Sequence, residues 1–226
     1  MAKPKLVILT GAGISQESGI STFRDSGGLW ENHRIEDVAS LDGFRRDPDT
    51  VLSFYNARRA QLFEVEPNAA HYALATLERN YEVHIVTQNV DDLHERGGSG
   101  SVMHLHGELR KVRSTAYPEL VYTWEKDLHL GDLCERGAQL RPHIVWFGEE
   151  VPLIGAATQL FAQADIAVVV GTSMQVYPAA GLISYTRPNV PLYYVDPHPA
   201  HVHHSRLTVI AQKATIGIQE LIAKHL

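Results

Sequence analysis

The chain is poor in cysteine. Among 226 residues there is one, Cys134, so no disulfide can form within it and nothing points to an oxidising compartment. Long apolar runs are also lacking. None approaches the ~20 residues that span a bilayer, and Leu6 to Leu9, behind Met1-Ala2-Lys3-Pro4-Lys5, is too short for a secretory signal. The expectation is a cytoplasmic chain with no membrane partner. Nor is there an excess of positive charge. A formal net charge of -6 argues against a general nucleic-acid partner. Repeats, low-complexity tracts and flexible linkers are absent. What remains is a globular composition, 44% hydrophobic and 20% charged, with a length that suits one α/β domain or a large domain carrying a small insert.

Short apolar runs alternate with stretches of helical spacing. The predicted strands are Lys5–Thr10, Glu82–Thr87, Val102–Leu105, His143–Phe147, Ile166–Val170, Leu192–Asp196 and Thr208–Gln212. The predicted helices include Asp49–Phe63, His71–Arg79, Pro152–Ala164 and Thr215–Leu226. Runs rich in β-branched residues suit strands buried on both faces, and their alternation with helices predicts a doubly wound, Rossmann-like α/β fold with a parallel sheet. Residues 21–80 read as helical with no convincing strand, and residues 108–141 are polar and weakly periodic. Both are expected to be inserts forming a smaller domain, the Rossmann-like part being about 1–20, 81–107 and 142–226.

The first strand runs directly into Gly11-Ala12-Gly13-Ile14-Ser15. Strand, Gly-x-Gly and helix start together open a dinucleotide-binding crossover, in which glycines let the backbone approach a pyrophosphate. By itself the pair is equally consistent with a plain tight turn. No acid follows ~20 residues on, where a dehydrogenase places it. Asp196 instead ends a late strand, and Gly171-Thr172-Ser173 follows the strand Ile166–Val170, so these loops are expected to meet beyond the carboxyl ends of the sheet. Thr172 and Ser173 would equally serve as helix caps.

Thr87-Gln88-Asn89-Val90-Asp91-Asp92-Leu93-His94 lies where a strand becomes a helix. Asp91 or Asp92 could simply cap that helix, but Gln88 and Asn89 improve neither element. Leu105-His106-Gly107 puts a histidine at a strand tip, which suits general-base work because imidazole titrates near neutrality. With 13 histidines in the chain, a plain loop histidine is the competing reading for most of them.

With these pieces in place the sequence resembles the sirtuins, NAD-dependent protein deacylases. The resemblance rests on Gly11-Ala12-Gly13-Ile14-Ser15, Ser18-Gly19-Ile20, Phe23-Arg24, Gly28-Leu29-Trp30, Pro67-Asn68 with His71, Thr87 to Asp91, His94, Leu105-His106-Gly107, Pro142, Val145 to Glu149, and Gly171-Thr172-Ser173, all in order. It implies that Gly11, Ala12, Gly13 and Ser15 hold the phosphates of NAD. Phe23 and Arg24 would lie on a loop closing over the cofactor. Gln88 and Asn89 would position the nicotinamide ribose and a water, and Asp91 the carboxamide. Gly171, Thr172 and Ser173 would sit by the phosphates or adenosine ribose. Asp196, where many sirtuins have asparagine, would take the adenosine ribose hydroxyls, and Ala214 belongs to the same cofactor set. His106 and Asn89 would be the catalytic pair, with His106 taking a proton from the ribose as the acyl group passes to ADP-ribose. An acylated peptide would run beside Val145, Phe147, Gly148 and Glu149.

Val51, Tyr55, Arg58 and Leu62 share one face of the helix Asp49–Phe63. An arginine on such a face is awkward to bury without an anion. In the sirtuins Tyr-x-x-Arg here marks members that remove succinyl, malonyl or glutaryl groups. The resemblance therefore implies an acidic acyl-lysine as substrate, gripped by Arg58 and Tyr55, with acetyl-lysine still able to enter. Most sirtuins also hold a structural zinc on four cysteines after Leu105-His106-Gly107. Here only Cys134 is available and Ser114 stands where a first ligand is expected, so no zinc is predicted and packing through Tyr117, Leu120, Tyr122 and Trp124 must hold the insert. The alternatives are an ADP-ribosyltransferase or NAD glycohydrolase and, in another class, a non-catalytic NAD-sensing module, which has little need of Asn89, Asp91 and His106 together.

Overall fold

A computed structural model describes residues 2–20, 29–30 and 33–226. In chain order the elements are β1 (Lys5–Thr10), β2 (Leu29–Trp30), β3 (His33–Arg34), α1 (Ile35–Val38), α2 (Leu41–Arg46), α3 (Pro48–Leu62), α4 (Ala69–Thr76), β4 (Glu82–Thr87), α5 (Leu93–Arg96), β5 (Val102–His104), β6 (Gly107–Ser114), β7 (Val121–Thr123), β8 (Leu140–Ile144), α6 (Ile154–Gln163), β9 (Ile166–Val170), β10 (Leu192–Val195), β11 (Leu207–Ile210) and α7 (Ala214–His225). Six strands form one parallel sheet in the order β11-β10-β9-β1-β4-β5. The chain leaves β1 towards β4 on one side and returns to β9 on the other, so the order reverses between β1 and β9. Ligands of such sheets bind at this switch point.

The sheet is buried on both faces. Leu6 and Ile8 of β1 point to a layer containing Leu74 of α4 and Ile218 and Leu221 of α7. Val7 and Leu9 point to the other, where Phe161 of α6 and Leu182 pack. Alternate side chains of each strand therefore feed opposite layers, which explains the continuous apolar runs. Each such fully buried aliphatic side chain contributes about 1.5–3 kcal/mol relative to exposure. Among the described residues no helix is long and apolar enough to cross a membrane.

The weakly periodic stretch 108–141 and its flanks form a separate antiparallel sheet, β7-β6-β8. This corrects the expected strand His143–Phe147. The strand is Leu140–Ile144, and it pairs with β6 rather than joining the parallel sheet. The apolar letters of Val145 to Phe147 suggested a strand, but they bury Trp146 against the helical unit instead. The small sheet is held by Leu52, Val112, Leu128, Cys134 and Leu140, with Tyr117, Leu120, Tyr122 and Trp124 packed on them. Cys134 Sγ lies 3.4 Å from Ser114 Oγ within this cluster. Among the described residues of the 33–80 stretch helices α1 to α4 predominate, and the short antiparallel pair β2–β3 precedes them, a pairing that the sequence reading of this stretch did not include. Helix α3 begins on the side chain of Asp47, which accepts from the N–H of Thr50 with Pro48 in the first turn.

Candidate active site

Register brings the site together. Thr87, Thr10, Val170 and Val195 lie in one row across four neighbouring strands. The residues that follow them are Gln88, Gly11, Gly171 and Asp196, so four loops separated widely in sequence leave the sheet at one level. They line a cavity of about 960 Å³. That volume lies at the upper end of the range for small-molecule sites.

The two glycine loops touch backbone to backbone. Gly13 N–H donates to the carbonyl of Gly171 at 2.8 Å, and Gly11 N–H to that of Val170 at 3.0 Å. A Cβ on Gly13 would lie 2.7 Å from the Cα of Gly171, and one on Gly171, whose φ is +61, would lie 2.4 Å from the nitrogen of Ile14. The glycines thus permit loop-to-loop contact, as well as leaving the cavity floor bare. From Ala12 to Ser18 the chain makes two short 3-10 turns, where the sequence suggested the start of a helix.

Beneath this floor lies a polar network. Ser15 Oγ donates to Asp91 Oδ2 at 3.0 Å and accepts from Asn89 Nδ2 at 3.2 Å. Gln88 Nε2 donates to Thr172 Oγ1 at 3.1 Å, and Tyr194 OH donates to the carbonyl of Thr172 at 2.7 Å. Asp91 is buried, which raises its pKa against the pull of the Leu93 N–H and the Ser15 hydroxyl. Asp196 is 3% exposed and caps the N–H of His198 through Oδ1 at 2.8 Å.

His106 sits between β5 and β6. Its Nδ1 is 3.0 Å from the carbonyl oxygen of Gln88. A carbonyl only accepts, so the ring proton sits on Nδ1 and Nε2 keeps its lone pair. Burial lowers the pKa of the ring against the pull of the Gln88 carbonyl, favouring this neutral form. Gly107 turns the chain away from His106 with φ +85, where a Cβ would meet the His143 carbonyl at 1.9 Å. Arg58 and Tyr55 of α3 line the same cavity as His106 and are 7% and 0% exposed. Trp146 Nε1 donates to Tyr55 OH at 2.9 Å.

The cavity lining includes Ala12, Ser173, Val145, Phe147, Gly148 and Glu149 as well. Ala214 lies outside the lining and packs into the core under β1, while the adjacent Lys213 reaches the rim. Phe23 and Arg24 lie outside the described residues. Along Val145 to Glu149 the N–H groups of Val145, Phe147 and Glu149 donate to carbonyls of His106, Ala39 and Trp146. The carboxylate of Glu149 accepts from Arg113, Arg141 and the N–H of Trp146. Glu149 therefore fixes the shape of this segment.

Sequence reasoning missed two features. Arg59 is as buried as Arg58 and ties α3 to β6 through its Nε and the carbonyl of Leu109 at 2.8 Å. Burial pushes its pKa down to about 10, against the field of Asp127. Arg141 stacks on Trp146 at 3.4 Å from the ring centroid, linking Glu149 to the Tyr55 wall. Neighbouring arginines in a helix look alike in sequence, and only the packing of α3 on β6 separates their tasks.

The Sir2 family model matches residues 11–178. A Helicobacter pylori protein named NAD-dependent protein deacylase is 56% identical over 220 residues, covering 97% of this chain and 94% of its own length. A Bacteroides thetaiotaomicron protein of the same name is 51% identical over 223 residues, covering 96% and 95%. Among solved structures, a Sir2 homologue in complex with NAD superposes with a TM-score of 0.87 at 39% identity, covering 98% of this chain and 89% of that one. A Sir2 structure bound to an acetylated peptide gives 0.82 at 30% identity, covering 98% and 93%.

Proposed function

The chain belongs to the Sir2 family, and from that premise we propose that it is an NAD-dependent protein-lysine deacylase favouring succinyl, malonyl or glutaryl groups, with acetyl-lysine able to enter the same pocket. The observation that carries the acyl preference is the burial of Tyr55 and Arg58 on one face of α3, in the wall of the cavity that also holds His106.

The residues present fit the dinucleotide. Gly11 and Gly13 donate their own N–H groups to Val170 and Gly171, but without side chains they leave room for phosphates beside Ala12 at the switch point, and the Asp196 carboxylate suits ribose hydroxyls. When bound, NAD would supply an electrophilic ribose carbon, so that acyl-lysine, NAD and water would give free lysine, nicotinamide and acyl-ADP-ribose. The protein's part is to orient and to move a proton. Nε2 of His106 accepts a proton from a ribose hydroxyl. Asn89, braced by Ser15, and Gln88, braced by Thr172, fix the ribose side of the cavity. Asp91 accepts from an amide N–H. The guanidinium of Arg58 grips the acyl carboxylate, and Tyr55, whose phenol burial keeps neutral, serves beside it. Trp146 and Tyr55, both buried, keep water from that wall.

The test compares one peptide carrying succinyl-lysine or acetyl-lysine, with and without NAD. Faster NAD-dependent loss of succinyl supports the reading. Faster loss of acetyl keeps the enzyme class and removes the acidic preference. Loss of neither points to ADP-ribosyl transfer, NAD hydrolysis or NAD sensing.

A further inference from the structure

The end of β5 carries a second histidine that the reaction above leaves unused. His104 is 9% exposed. Its Nδ1 lies 3.0 Å from the carbonyl oxygen of Asn89, and its Nε2 lies 2.7 Å from Oε1 of Glu95 on α5. Both partners are acceptors, the carbonyl always and the carboxylate when ionised, so both contacts together need a proton on each nitrogen. Burial opposes that charge, yet the Glu95 carboxylate and the Asn89 carbonyl outweigh it and the net shift is upward. The charged and titratable groups that act on the ring are Glu95 and His94 from α5, Asp91 from the loop and Glu108 from β6, while Lys111 of β6 acts on Glu95.

The loop that His104 holds is the catalytic one. The carbonyls of Thr87, Gln88, Asn89 and Val90 accept, in turn, from Leu105 N–H, His106 Nδ1, His104 Nδ1 and Leu109 N–H. Three of these bonds need no charge. The one at Asn89 depends on the ring that Glu95 also claims.

We propose that His104 and Glu95 form a positioning pair for the deacylation: the ring bridges the Glu95 carboxylate and the Asn89 carbonyl, and so fixes the Asn89–Val90 peptide plane and with it the aim of Asn89 into the cavity. The proposal rests on the deacylase reading but not on which acyl group is preferred. If His104 loses one proton, the other goes to the stronger acceptor, the Glu95 carboxylate. The lone pair of Nδ1 then faces the Asn89 carbonyl, and the clamp becomes repulsive. Glutamine at position 95 would change this, because its amide can donate to Nε2 and leave the proton of a neutral ring on Nδ1.

The experiment measures kcat and KM across pH for the wild type, Glu95→Gln and His104→Leu, on the acylated peptide the wild type cleaves fastest. Wild-type turnover tests the deacylase reading, and its absence would sink both claims. The variants test the pair. His104→Leu is expected to lower kcat about tenfold to a hundredfold with KM for NAD and peptide within about twofold. Wild-type kcat should fall on the alkaline side, and Glu95→Gln should shift or remove that limb. A Glu95→Gln profile that superimposes on the wild type overturns the proposal, as does a folded His104→Leu with unchanged kcat. Should His104→Leu fail to fold, the Glu95→Gln profile still decides.

Discussion

Gly13 and Gly171 meet backbone to backbone: the N–H of one donates to the carbonyl of the other at 2.8 Å, across the point where the sheet reverses its order. Gly171→Ala therefore adds a methyl 2.4 Å from the nitrogen of Ile14 at a residue with positive φ. The expected cost is about 1–3 kcal/mol, seen as a lower thermal midpoint. NAD should also raise that midpoint less than in the wild type. A variant with wild-type stability and a wild-type NAD shift would show that the loops part freely.

The Gln88 carbonyl holds the ring of His106, the proposed base, with its proton on Nδ1. His106→Ala should lower kcat by about 10²–10⁴. Because the active form is unprotonated and burial lowers its pKa, kcat/KM should fall as pH drops, with a midpoint below the ordinary 6.5. An acid limb centred above that value would assign the base to another group.

On the proposed acidic-acyl reading, Arg58→Met removes the cation from the cavity wall and keeps most of its bulk. Desuccinylation should fall about tenfold to a hundredfold, as expected for a lost charge-assisted hydrogen bond, and deacetylation much less. Equal losses on both peptides would make Arg58 a structural residue of α3.

Acid should destabilise the fold through two buried histidines, His71 and His94, whose rings pack at 5.0 Å. Burial pushes His71 down to about 4 and His94 well below its ordinary range. Unfolded, both would bind a proton below about pH 6.5. The unfolded state therefore binds more protons in that window, so stability is full above 6.5 and drains as pH falls towards 4, by about 1 kcal/mol per unit for each ring. Denaturant melts between those pH values should show this slope, and His71→Gln should flatten it.

Metal analysis of the purified chain is expected to find no stoichiometric zinc, and a chelator should leave the thermal midpoint unchanged. The reason is positive rather than an absence. The region is held by the apolar cluster around Val112 and Leu140, with Cys134 beside Ser114. About one zinc per chain would mean that this packing is not what holds the small sheet.

The sequence alone determined what local physics controls. Strand Lys5–Thr10 and strand Glu82–Thr87 were legible because sheets buried on both faces demand continuous apolar runs, and Gly-x-Gly after the first marked the switch-point loop. Tyr55 and Arg58 were legible as one helix face because helical periodicity is local. Tertiary structure alone decided what depends on distant partners. It moved the strand at Leu140–Ile144 into the small sheet, since pairing partners and not composition choose a strand's neighbours. It separated Arg59, spent on the carbonyl of Leu109, from Arg58 in the cavity wall. And it gave His104 and His106, two residues apart and alike in sequence, opposite protonation demands, because one faces a carboxylate and a carbonyl while the other faces a carbonyl and an open cavity.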